Sequence, residues 1–147
     1  MNKREWMTSS AALALAAVAG RASAQENPHA HHHMAGPGPN AALIAAAADC
    51  VSKGQICLSH CLDLLASGEK EMLGCGKSVN ETVAICVALQ ALAAQDAKAL
   101  KSLAKLAEET CLACEKECRK HENKHSQCKD CADSCVNCAK QCKALAA

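Results

Sequence analysis

The sequence predicts an all-α protein, an antiparallel four-helix bundle with a cysteine-lined core. Three observations carry that prediction. Beyond Asn40 there is no proline, and Ala, Leu, Lys, Glu and Gln dominate, as in helix-forming sequence. The apolar positions recur at helical spacing in four segments joined by short connections, which favours up-down-up-down packing. Finally, the 13 cysteines fall on those segments at intervals that keep them on one stripe of each helix.

Helix 1 is expected from about Ala41 to Ala66, stopped by Ser67-Gly68. It carries Cys50, Cys57 and Cys61. Helix 2 is expected from about Glu71 to Ala94, with Cys75 and Cys86 separated by close to three turns. Its start is ambiguous, because Ser78-Val-Asn-Glu81 has the form of a capping box, which would leave Cys75 in a loop. Helix 3 is expected from about Ala97 to Lys120, with Asp96 as its N-cap, and carries Cys111, Cys114 and Cys118. Helix 4 is expected from about Gln127 to Leu145, with Ser126 as its N-cap. Its segment "CKDCADSCVNCAKQC" spaces Cys128, Cys131, Cys135, Cys138 and Cys142 at 3, 4, 3 and 4. That is a heptad seam with a thiol at every beat, and such a seam faces the bundle axis.

The region before the bundle reads differently. Residues 1–24 combine Lys3 and Arg4, a short apolar run from Ala11 to Gly20, and Ala22-Ser23-Ala24. That is the anatomy of an export signal cleaved near Ala24, with an apolar run too short to span a bilayer. The alternative is an N-terminal helix that is retained. "NKREWM" resembles a twin-arginine signal with Lys3 in place of the first arginine. Residues 25–40 hold all three prolines together with His29, His31, His32, His33 and Met34. They read as a flexible leader with weak metal affinity, or as a metal-gathering arm.

Loss of the signal removes Lys3, Arg4, Arg21, Glu5 and Trp6 and leaves a nearly neutral chain with no aromatic side chain other than histidine. Such a chain has neither the basic surface nor the stacking platforms that nucleic-acid binding uses.

The thiols need an explanation of their own. Cysteine buries less apolar area than leucine, so a core of thiols is a poor core if packing is its only task. A disulfide framework would leave one thiol over. Neighbours at i,i+4 on one helix sit ~5–6 Å apart, beyond the ~3.5–4.5 Å between Cβ atoms of a disulfide. Metal binding remains. The recurring unit is CxxxC, in Cys57/Cys61, Cys114/Cys118, Cys131/Cys135 and Cys138/Cys142. Two thiolates one turn apart suit a soft ion of low coordination number, and Cu(I) is the natural choice. If each thiolate bridges two ions, the core approaches one Cu(I) per cysteine and is electrically neutral. Zinc or toxic-metal sequestration, and a chaperone passing copper to one partner, stay open at this point. A thiol oxidoreductase would need one exposed, activated CxxC at a helix N-terminus. No CxxC here is set apart from its sulfur-rich surroundings, so the reading is non-enzymatic.

"CLSHC", "CLACEKEC" and "CKDCADSCVNCAKQC", preceded by an export signal and a His/Met leader, resemble the bacterial copper storage proteins, in particular the exported branch known from methane-oxidising bacteria. The resemblance covers nearly all of the chain beyond the signal. It implies an antiparallel four-helix bundle assembling as a homotetramer, whose core fills with Cu(I) for supply to a copper enzyme such as particulate methane monooxygenase. It also implies that all 13 cysteines are ligands, with His60 and Met72 as extra ligands at an open end. His60 and Met72 have simpler readings too, as a surface histidine and a helix staple. Leu64 and Ser67 stand where the family has methionine. His121 and His125 read as solvated polar residues. The opposite end reads as apolar through Leu100, Leu103, Ala104 and Ala107, with Leu145 elsewhere on the surface.

Overall fold

The computed structural model describes residues 38–146. The candidate export signal and the histidine-bearing part of the leader lie outside the described residues. Four helices follow one another: α1 (Ala41–Ala66), α2 (Met72–Ala94), α3 (Leu100–Arg119) and α4 (Ser126–Ala146). Each packs on two neighbours, α1 on α2 and α4, and α3 on α2 and α4. The diagonal helices keep their backbones apart and meet only through side chains at the axis, as where Cys86 of α2 lies 3.9 Å from Cys138 of α4, which is a square bundle.

Side-chain pairing gives the directions. Cys50 meets Cys135 while Cys57 meets Cys128, so α1 and α4 run antiparallel. Cys75 meets Cys118 and Cys86 meets Cys111, so α2 and α3 do the same. Between α1 and α2, Gly54 faces Val83 and Gly76 faces Cys61. A Cβ on Gly54 would sit 2.6 Å from the Val83 side chain, so the close approach of these helices depends on that glycine.

The helix ends explain where sequence reading succeeded and failed. At the end of α1, Glu69 N–H donates to Leu64 O and Gly68 N–H to Leu65 O. This is a Schellman motif, and Gly68 takes the required left-handed conformation at φ 100°. The end of α2 repeats the motif: Ala97 N–H donates to Leu92 O and Asp96 N–H to Ala93 O. Asp96 is therefore the left-handed residue that stops α2, at φ 47°, and not the N-cap of α3. Aspartate is among the few non-glycine residues that tolerate that region. Helix α3 starts a turn later than expected, and Ala99 offers it no side-chain cap.

Two further expectations change. Ser78 lies inside α2, so its capping-box reading fails and Cys75 is helical. Ser126 does not cap α4; its hydroxyl contacts Gln127 Oε1, and the His125 carbonyl accepts the first amides, from Cys128 and Lys129.

One end of the core is apolar. Leu43, Ala46, Ala47, Leu89, Ala93, Leu100, Ala104 and Ala107 are buried there. Leu103 and Leu145 pack against this core, so Leu145 belongs to the apolar end and not to a separate surface. Asn40, itself buried, ties the end shut by donating from Nδ2 to Ala93 O at 3.1 Å and to Asp96 Oδ1 at 3.2 Å. Polar groups deeper in the bundle are also paired: Thr82 donates to Thr110 O and Ser134 to Cys131 O.

Candidate metal centre

Every cysteine points inward, and none is more than 1% exposed. All remain free thiols. The stripes read from sequence thus meet in one interior. The structure adds that sulfur contacts run mainly between helices. Cys50–Cys135 and Cys57–Cys128 join α1 to α4, each at 3.8 Å. Cys75–Cys118 at 3.5 Å and Cys86–Cys111 at 3.8 Å join α2 to α3.

Four groups of sulfurs converge, with all members of a group within 4.8 Å of one another. Cys57, Cys61, Cys75 and Cys128 form one group, at the level where α1 ends and α4 begins. Cys57 also belongs to a group with Cys118 and Cys131, and Cys131 to one with Cys114 and Cys135. Cys135 then touches Cys50, which belongs to the last group with Cys86, Cys111 and Cys138. Three of the groups therefore share members, the fourth is joined to them by the Cys50–Cys135 contact, and a continuous path of sulfur runs along the axis. Cys142 extends it beyond Cys138 toward the apolar end. The expected CxxxC pairs Cys57/Cys61 and Cys131/Cys135 each fall within one group, and Cys114–Cys118 is 3.9 Å.

The thiols are not equivalent. Cys50 is pulled below the ordinary thiol value by Cys111 and then Cys135, Cys131 by Cys114 and Cys118, and Cys138 by Cys111 and Cys142. Cys61 is lowered by Cys128, Cys57 and Cys75, with a smaller contribution from His60. Their partners are held up: Cys86 by Cys111, Cys118 by Cys114, and Cys135 by Cys111. The physical cause is S–H···S donation within a core that burial makes hostile to charge. One sulfur in a group can carry charge only while its neighbours keep their protons.

The end opposite the apolar plug is polar. His60 Nε2 lies 3.0 Å from His125 Nδ1. The ring centroids are 4.9 Å apart. His125 is thus half-buried and partnered, not the solvated residue read from sequence, and His121 is half-buried as well. His60 and His125 are 65 residues apart. The signal that could have found them was the antiparallel pairing of Cys57 with Cys128: it places the residues after Cys57 and before Cys128 at one level. Beside His60, Ile56, Ser59, Asp63 and Gln127 line a shallow depression of about 300 Å³. Met72 is fully buried one turn before Cys75. Leu64 packs against the core, and Ser67 is exposed and donates to Leu64 O. Arg119 braces this end by binding Glu115, Glu122 and Asp133, joining α3 to the connection and to α4.

A square helical bundle whose interior is a sealed column of reduced thiols is a container for several soft metal ions. The chain belongs to the copper storage protein family: the family model described as "Csp: Copper storage protein" matches residues 38–147. It is 33% identical over 106 residues to the uncharacterized cysteine-rich protein YhjQ of Bacillus subtilis, spanning 72% of this chain and 94% of that one. The apo copper storage protein 3 of B. subtilis superposes with a TM-score of 0.65 at 32% identity, covering 74% of this chain and 99% of that one. The Cu(I)-bound copper storage protein BsCsp3 superposes at 0.68, again with 32% identity, over 74% of this chain and 98% of that one. Ccsp of Streptomyces lividans, loaded with 10 copper equivalents, shares the fold at 22% identity and a TM-score of 0.65, covering 78% and 92% of the two chains.

Proposed function

We propose that this chain stores multiple Cu(I) ions as thiolates along its axis, with all 13 cysteines as ligands. The observation that carries the reading is the unbroken, solvent-excluded path of sulfur from the His60 end toward the apolar plug. Thiolates select Cu(I), and each ion bound displaces a thiol proton, so filling leaves a neutral core. An ion can pass from group to group through the shared Cys57 and Cys131 without leaving sulfur. A chaperone would instead present its ion near the surface, and these thiols are buried.

Copper is admitted at the polar end, where His60 and Met72 act as additional ligands. His125 joins His60 there by virtue of its position. The role is storage and not catalysis. Residues 1–24 direct export, 25–40 form a leader, and 41–147 are the storage domain. The finer resemblance supports the exported branch, a homotetramer and a recipient such as particulate methane monooxygenase. The exposed Leu62 and Leu73 line one apolar depression with Leu58 and Leu65 between α1 and α2, and this face supports assembly, since a second copy would cover it.

Titration of the apo chain with Cu(I) against a competing chelator, read alongside native mass spectrometry, tests the proposal. Capacity should approach one copper per cysteine on a tetrameric species. Saturation at one or two equivalents per chain would refute storage.

A further inference from the structure

Two of the four sulfur groups differ from the others in a way that Cu(I) storage does not require. Cys50, Cys86, Cys111 and Cys138 supply one thiol from each helix, and all four sulfurs are mutually within 4.8 Å. Cys57, Cys61, Cys75 and Cys128 form a second set of four with the same property. Four sulfurs all within 4.8 Å of one another can close as a tetrahedron around a single ion. Cu(I) is satisfied by two or three sulfurs, whereas a tetrahedral S4 set is the preference of zinc or of iron–sulfur chemistry. With a Zn–S bond of ~2.3 Å, the sulfur–sulfur edge of such a tetrahedron is about 3.8 Å. Cys86–Cys111 is 3.8 Å, Cys86–Cys138 is 3.9 Å and Cys57–Cys128 is 3.8 Å. Sulfurs this close enclose one ion and leave no room for a cluster of several irons.

We propose that the copper-free chain binds Zn(II) at these two tetrahedral tetrathiolate sites, one ion in each, as an exchangeable occupant of the core. This rests on the same thiols as copper storage but not on copper binding itself. Each zinc binds with loss of four protons: Zn²⁺ + 4 RSH → [Zn(SR)4]²⁻ + 4 H⁺. The dianion is buried, and S–H donors outside each set moderate it. Cys135 lies 3.8 Å from Cys50. At the other site Cys118 lies 3.5 Å from Cys75. The residual charge also sets the direction of exchange. In [Zn(SR)4]²⁻ + 4 Cu⁺ → (CuSR)4 + Zn²⁺, a buried dianion gives way to a neutral thiolate cluster, so copper expels zinc. Zinc would hold the thiols together and shield them from oxidation until copper arrives.

The test uses the full apo chain, titrated with Co(II) as a visible stand-in and then with Zn(II). Thiolate-to-cobalt charge-transfer and tetrahedral d–d bands should saturate at two ions per chain, with proton release of four per ion. These bands do not arise from histidines in the leader. Cys86→Ala and Cys75→Ala should each reduce the thiolate-bound ions to one. Cys142→Ala, outside both sets, should leave two while lowering copper capacity. Absence of thiolate-bound cobalt, a count that rises with total cysteine number, or insensitivity to Cys86→Ala and Cys75→Ala would overturn the proposal. Copper capacity is read separately on the same preparations. Failure to store copper with zinc still bound would remove the storage reading and leave this one standing.

Discussion

The two ends of the bundle are built from the same helices and do opposite things. At one end Leu43, Leu89 and Leu100 close the core, and Asn40 stitches the α1 start to the α2 stop. At the other end Cys61, Cys75 and Cys128 reach nearly to the helix termini, and two histidines meet above them. Ordinary apolar packing at the first end supplies stability independent of cargo. The second end sacrifices apolar burial for ligands. The difference teaches how a bundle can be folded while empty: cohesion and cargo occupy different stretches of one axis, and only the thiols change state on filling.

This division is open to attack at either end. The largest effect is expected from Leu89→Ala in the plug, a fully buried leucine. It should cost ~2–5 kcal/mol, as for other buried leucines, in chemical denaturation of the apo protein. Copper capacity per folded chain should stay unchanged; a proportional loss of capacity would show that the two ends are not separable. At the polar end His125→Ala is expected to slow Cu(I) loading several-fold in stopped-flow measurements while equilibrium capacity stays near that of the wild type. Unaltered loading kinetics would move the point of admission elsewhere. The smallest effect concerns the brace. Asp133 has its carboxyl held below the usual range by Arg119 and then Lys129, and it is half-exposed. A depressed carboxylate stabilises above its unfolded-state pKa, and that contribution is lost as pH falls through the folded-state value. Asp133→Asn should therefore cost less than ~1 kcal/mol near neutrality, and in a pH series of thermal melts the gap to wild type should close in acid.

Much of this was legible in the sequence because its signals were periodic. The extents of α1, α2 and α4 match their expected ranges within a residue or so, since apolar and cysteine spacing fix helices strongly. The inward course of all thiols followed from the same spacing. What failed was local chemistry with two meanings. Aspartate is both a common N-cap and a tolerable left-handed residue, and at Asp96 the second use prevailed because α2 needed a stop. Ser78 and Glu81 fit a capping box, yet the packing of Cys75 and Met72 into the core keeps that turn helical. Leu145 is one leucine near a chain end, and only the neighbouring helices decide that it is covered. The His60–His125 contact joins opposite limbs of the bundle, so no local pattern announces it.

The seam itself has a further consequence. Val79 and Thr82 are buried on α2 between Cys75 and Cys86, in places where the other helices carry thiols. Since the backbone satisfies its own hydrogen bonds whatever the seam holds, a ligand can be gained or surrendered at such a position without redrawing the fold. Capacity in this architecture is thus a graded quantity, adjustable one side chain at a time. Natural selection can set it as it would a reservoir's depth, leaving the walls where they stand.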